Sequence, residues 1–200
     1  MTILSPANVV SKHLSYTNSN SEIIALLKMH KHPEGGYYAE TDRQPEQIPS
    51  PFADGQLRPL ATSIYYLLTC DASQGVFHMN KSATMHVHHQ GRAEYTLIHP
   101  TRPPRIETVR QIVGPNIDAG ETLQLMVGSN VWKKSKLLDE DVRAAERDGA
   151  LRERTGCLIT EVVFPGFHWE DHEYLTKSAL QALWGGGSGW EEWLPFVKNE

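Results

Sequence analysis

Residues 84–99 read "TMHVHHQGRAEYTLIH". Two short segments rich in β-branched and aromatic residues, "TMHVHH" and "AEYTLIH", are punctuated by Gly91, which is a strand–break–strand pattern. The same texture extends outward from Leu60 to Phe164. "LATSIYYLLTC", "GVFHMN", "RIETVRQIV", "ETLQLMV", "VWKKSKLL" and "CLITEVVF" are all short and separated by Gly, Pro, Asn or Asp. Many short strands at regular spacing predict an all-β sandwich or barrel.

Four of the ten histidines fall between residues 78 and 89. Alternate side chains of a strand share a face, so His86 and His88 point to one side of it. His89 points to the other unless a bulge intervenes.

Helices flank the barrel segment of about residues 36–166. "SNSEIIALLKMHKH" predicts a short amphipathic helix over about 20–30, capped at Asn20 or Ser21 and burying Ile23, Ile24, Leu26 and Leu27. Pro33 stops it, and Gly35-Gly36 turns the chain into an extended segment. "QPEQIPSPFADGQLRP" reads as an irregular proline-rich loop. Residues 138–154 are charged and helical in character, either a solvated excursion or a lid. A helical tail occupies about 170–198, where Trp190, Trp193 and Phe196 form an apolar stripe that packs on the barrel or on a partner subunit.

Two hundred residues suit one domain with appended helices. A net charge of −5 gives no basic face for nucleic acid, and no apolar run approaches a membrane span. The start lacks a signal-peptide pattern, and Cys70 and Cys157 form no C-x-x-C pair. A cytoplasmic chain with reduced thiols is the expectation.

"HPEGGYYAETDR", "ATSIYYLLT", "FHMNKS", "HHQGRAEYTLIHP", "VVFPGF" and "EDHEYL" occur in the order seen in one branch of the cupin superfamily, formerly catalogued as a domain of unknown function. The chain resembles its fungal members over about residues 20–180. The resemblance implies a double-stranded β-helix, a jelly roll with a small-molecule pocket, and a homodimer. Cupins include metal-dependent dioxygenases and decarboxylases, metal-free epimerases and isomerases, storage proteins and binding modules, so the site must be argued separately.

The usual cupin metal site takes H-x-H, a nearby Glu and a later His. Here the candidates for a divalent transition metal are His86, His88, His89 and Glu94. When Gly91 is matched to the glycine of the bacterial "W-H-x-H-x-G", His89 takes the second histidine and Val87 stands at the first. Trp132 stands where the last histidine belongs and cannot bind a metal. The expectation is therefore a cofactor-free pocket in which His78, His86 and His88, with Glu161, transfer protons. Tyr65, Phe77, Met85, Tyr95, Leu125 and Trp132 are expected to line it for a hydrophobic or aromatic substrate, and Arg58 to anchor an anionic group. An isomerase, epimerase, dehydratase or cyclase fits this chemistry, and the resemblance implies a place in secondary metabolism. The alternatives are a non-catalytic binding cupin and a metal-dependent oxygenase or decarboxylase.

Overall fold

A capping box opens the first helix. The Ser19 Oγ accepts the Glu22 N–H at 3.2 Å while Glu22 Oε2 accepts the Ser19 N–H at 2.6 Å. Helix α1, Asn20–Leu26, follows; it starts from Ser19 rather than Asn20 or Ser21 and stops short of residue 30. Ile23 is buried against the barrel, but Leu26, expected inside, faces solvent. The structure, a computed structural model, describes residues 18–99 and 111–198.

Two strands, His30–Lys31 (β1) and Tyr37–Arg43 (β2), pair around the turn Glu34-Gly35-Gly36. Gly35 and Gly36 have φ of +110° and +72°, and a Cβ on Gly35 would lie 2.4 Å from the Gln74 carbonyl oxygen. Only glycine can make this turn while touching the neighbouring backbone. The proline-rich loop is not wholly irregular. Gln47–Pro49 (β3) and Leu57–Pro59 (β4) form a separate two-stranded ribbon. Its prolines sit at strand ends of a ribbon without further neighbours, where a missing N–H disrupts no wider ladder.

The remaining strands are Thr62–Thr69 (β5), His78–Asn80 (β6), Ala83–Gly91 (β7), Ala93–Ile98 (β8), Gln111–Val113 (β9), Gln124–Val127 (β10), Trp132–Lys136 (β11), Gly156–Phe164 (β12) and His172–Tyr174 (β13). One antiparallel sheet runs β1-β2-β5-β12-β7-β10 and the other β13-β6-β11-β8-β9. The chain alternates between sheets, so β12 lies between β5 and β7, and β11 between β6 and β8. This is the jelly roll. The first part of the "RIETVRQIV" segment lies outside the described residues, and β13 stands within about 170–198, where a helical tail was expected.

Side-chain alternation gives each sheet two jobs. Between the sheets, Tyr66 and Leu68 meet Tyr95, Leu97, Leu125 and Ile159 in the main core. On the outer side of the six-stranded sheet, Leu67 and Leu158 pack on Ile23 and Met29. On the outer side of the other sheet, Phe77, Met79, Ile98 and Trp132 are covered by Leu175, Leu180 and Trp193. Leu180 belongs to a C-terminal helix, Lys177–Leu183, and Trp193 to a following 3-10 turn. Lys134 is buried here, its Nζ 3.8 Å from the Phe196 ring centroid. Burial lowers its pKa to about 8 and the ring face supplies the compensating attraction.

The charged stretch 138–154 forms two helices, Asp139–Arg147 and Gly149–Arg152. Arg92 grips Asp141 through Nε and Nη2, each at 2.8 Å, and Val142 packs on the core near Leu137. The stretch thus covers the filled end of the barrel, and none of its residues borders the cavity described next.

Candidate active site

Leu68, Ala93, Leu137 and Cys157 fill one end of the barrel. Toward the other end the inward positions become polar, and a cavity of about 230 Å³ remains. His86, Tyr95, Ser135 and Glu161 line its depth, Glu34 and His78 its side, and Arg43, Phe167, His168 and Trp169 its mouth. Two clusters of titratable groups, each bridging the two sheets, dominate it.

The first is built on Glu34, which the double-glycine turn presses into the barrel. Glu34 Oε1 lies 2.6 Å from His172 Nε2, and Oε2 lies 3.1 Å from His78 Nε2. The His78 Nδ1–H donates to the Val76 carbonyl at 3.0 Å, which leaves Nε2 as the nitrogen that faces Glu34. A third imidazole, His32, accepts the Glu34 backbone N–H through Nδ1 at 3.2 Å. Burial would raise the Glu34 carboxyl, but His78, His172 and His32 outweigh it and hold it at about 2. Burial pushes His78 down to about 4 against the pull of Glu34. The pair is therefore an unprotonated ring nitrogen set against a carboxylate, ready to hold one incoming proton between them.

The second cluster is Lys133, His86 and Glu161. Lys133 Nζ donates to Glu161 Oε1, to Thr84 Oγ1 at 3.2 Å and to His86 Nε2 at 3.1 Å. His86 Nε2 also stands 3.2 Å from Glu161 Oε2. Burial first, and Lys133 second, lower the His86 pKa, so the ring stays neutral and accepting. Burial opposes ionisation of Glu161, yet Lys133 and His86 hold its pKa well below the ordinary carboxylate value. Lys133 lies directly opposite His78 in the β11–β6 ladder, which places the two clusters side by side.

At the mouth, Arg43 Nε and Nη2 donate to Glu40 at 3.1 and 2.7 Å, and Nη1 donates to the Phe167 carbonyl at 3.2 Å. Phe167 and Trp169 meet edge-to-face with centroids 5.0 Å apart, and Trp169 is 60% exposed. Deeper in, Tyr66 donates its hydroxyl to the Gly35 carbonyl at 2.9 Å.

Of the residues expected in a pocket, the fold gathers His78, His86, Glu161 and Tyr95. The others lie elsewhere. His88 turns to the Gly91 carbonyl, 2.8 Å from its Nε2, because the β7–β12 register shifts between Leu158 and Ile159. The same shift leaves His89 exposed, 2.6 Å from Thr160 Oγ1 and edge-on to Tyr65, so Tyr65 too is outside. Met85 is on the face of β7 opposite His86, and Leu125 belongs to the packed core. Phe77 and Trp132 face the C-terminal tail. Arg58 is a buried strut whose Nε and Nη2 donate to Asp171 at 2.6 and 3.0 Å, so its charge is spent internally.

Glu34 and His32 line the cavity and His172 holds Glu34, although locally "HPEGG" reads only as a turn; His13 lies outside the described residues. Lys133 was the most accessible omission. In "VWKKSK" strict alternation puts Trp132 and Lys134 on one face and Lys133 and Ser135 on the other.

The four residues proposed for a metal do not converge. His86 is in the cavity, His88 and His89 point elsewhere, and Glu94 is not among the residues that line the cavity. Among the described residues no group of three His, Cys, Asp or Glu side chains is arranged to ligate an ion. Next to Trp132, Lys133 points between the sheets and engages both His86 Nε2 and Glu161, so a cationic Nζ occupies the space between these two donors. A divalent metal does not fit between His86 and Glu161.

The comparisons with known proteins agree with the fold. A family described as Cupin superfamily (DUF985), Cupin_5, matches residues 21–175. The uncharacterized protein YML079W of Saccharomyces cerevisiae is 36% identical over 166 residues, covering 79% of this chain and 76% of the yeast protein. A solved hypothetical protein from Leishmania major superposes with a TM-score of 0.74 at 27% identity, covering 92% of this chain and all of that one. Protein SO0799 from Shewanella oneidensis gives 0.68 at 23% identity over 92% of this chain and 100% of its own, a likeness of fold alone. With the jelly roll and the match over most of its length, the chain belongs to the Cupin_5 (DUF985) family of the cupin superfamily.

Proposed function

We propose that this cupin is an enzyme that moves a proton on a small organic molecule without a metal: an isomerase, epimerase, dehydratase or cyclase. The observation that carries the reading is the adjacency of two buried proton-handling clusters in one cavity. The His78–Glu34 pair has an unprotonated nitrogen against a carboxylate and acts as general base. The neighbouring Glu161 and His86 line the same cavity, and Lys133 Nζ, bonded to both from behind, keeps Glu161 ionised as a second proton acceptor. Desolvation inside the barrel strengthens both effects.

Incubation of the protein with a mixed small-metabolite extract in deuterated water tests this. Mass spectrometry should find at least one compound that gains deuterium or loses water with wild-type protein and not with His78→Gln. A non-catalytic binding cupin would retain a compound and leave its isotope content unchanged, and that outcome would remove the reading.

A further inference from the structure

The three carboxylates that line the cavity, Glu34, Glu40 and Glu161, differ in what neutralises them. Glu161 is bonded to Lys133 and His86, and Glu40 receives two donors from Arg43. Glu34 has only imidazoles around it. His172, His78 and His32 approach it, and among the described residues no lysine or arginine pairs with it. A neutral imidazole can hydrogen-bond a carboxylate, but it does not cancel the charge. Burial pushes His78 down to about 4 and lowers His32 as well, while Glu34 stays ionised. Set against Lys133 and Arg43, the three carboxylates leave one negative charge without a permanent cation.

That charge acts on whatever enters. The Glu34 side chain is 10% exposed and borders the cavity, and inside a low-dielectric barrel its field reaches beyond contact distance. A buried charge without a counter-charge costs free energy, which an entering cation recovers. Aromatic rings lead from the mouth to the same carboxylate. Trp169 is 60% exposed and meets His172 with centroids 5.4 Å apart, and His172 holds Glu34. Phe167 touches the same imidazole at 5.8 Å, and on the other flank Tyr38 meets His32 at 4.6 Å. The faces of such rings attract cations independently of the carboxylates. An entering carboxylate or phosphate would instead meet three carboxylates. The cations nearby are already bonded, Lys133 to three acceptors and Arg43 to Glu40 and the Phe167 carbonyl. A benzene ring fits a cavity of about 150 Å³, so 230 Å³ admits a ring with one short arm.

We infer that the site takes a small organic ammonium ion, its positive nitrogen drawn to Glu34 and to the aromatic mouth formed by Trp169, Phe167 and Tyr38. The inference rests on the proposed reading of the cavity as a substrate site and names the substrate class for it. Glu34 and Trp169 are then the residues that select the charge of the substrate.

Three probes of similar size separate the possibilities by calorimetry and saturation-transfer NMR at neutral pH: benzylamine, which is cationic there, benzyl alcohol, which is neutral, and benzoate. Benzylamine should bind about tenfold more tightly than benzyl alcohol, the ratio expected of one charge-assisted interaction, and benzoate should bind most weakly. Glu34→Gln should lower benzylamine affinity to that of benzyl alcohol. Trp169→Ala should weaken benzylamine about threefold, as expected of a lost cation–ring contact, and benzyl alcohol by less. Trp169 is exposed, so this variant carries the test if Glu34→Gln loses cooperative unfolding. Equal binding of benzylamine and benzyl alcohol, a preference for benzoate, an unchanged benzylamine preference in every folded variant, or binding of no probe each overturns the assignment. These readouts contain no turnover. Loss of the cation preference with deuterium exchange intact removes the ammonium assignment alone, and the converse removes the acid/base reading alone.

Discussion

Replacing Lys133 by Met tests whether this lysine is the internal cation of the barrel. The side chain is 3% exposed and its partner Glu161 is 12% exposed. Removing one member of a buried ion pair costs about 3–5 kcal/mol, because the other charge is left without its partner. His86 Nε2 remains 3.2 Å from Glu161 Oε2 and can take up a proton in compensation. The low end, about 3 kcal/mol at pH 8, is therefore expected, equivalent to a fall in Tm of about 6–12 °C for a chain of this size. The pH dependence has a defined sign. In the wild-type fold the His86 pKa is depressed below 6.5, so its contribution is present above 6.5 and is lost as pH falls. In Lys133→Met the repulsion from Lys133 is gone, while burial still lowers and Glu161 still raises the His86 pKa, so the folded pKa is less depressed than in the wild type. Less stability is therefore lost as pH falls through this range than in the wild type. The deficit of the variant should shrink between pH 8 and pH 6. Urea unfolding at both values measures it. Adding Glu161→Gln should recover about half of the loss, since the uncompensated charge is gone. A loss below about 1 kcal/mol at both pH values, or no recovery in the double variant, would refute the reasoning.

Gly35→Ala should destabilise by about 2–3 kcal/mol, since its Cβ would press to 2.4 Å from the Gln74 carbonyl oxygen at φ of +110°; thermal unfolding measures it, and a shift in the His172 ring resonances would report the displaced Glu34. Glu34, held at about 2, contributes stability that is present above its ordinary 4.5 and is lost as pH falls from 4.5 toward 2. Glu34→Gln should accordingly flatten the acid unfolding profile in that window, and an unchanged profile would contradict the clamp. Ser19→Ala should cost about 1 kcal/mol by opening the capping box, read as a lower urea midpoint with an unchanged slope.

The strand series was legible because a half-buried antiparallel strand writes its pattern locally, and all eight expected strand segments contain a strand within the described residues. The cluster "HPEGG", "IYYLL" and "PGF" was likewise enough to reach the family. Alternation put His86 and His88 on one face of their strand, and of the two only His86 reaches the cavity. The rest depended on distance in sequence. Glu34 meets His78 and His172 across 44 and 138 residues, and only closure of one sheet over the other brings them together. The displacement of His88 depended on a register shift against β12, which nothing in "TMHVHHQG" announces. Phe77 and Trp132 are apolar in sequence, but whether they face the cavity or the tail is fixed by which neighbour covers the sheet. Local sequence thus determined which segments are strands and which positions share a face. Tertiary structure decided which face is the cavity, because the free energy of burying a carboxylate or a lysine depends on partners that the chain supplies from far away.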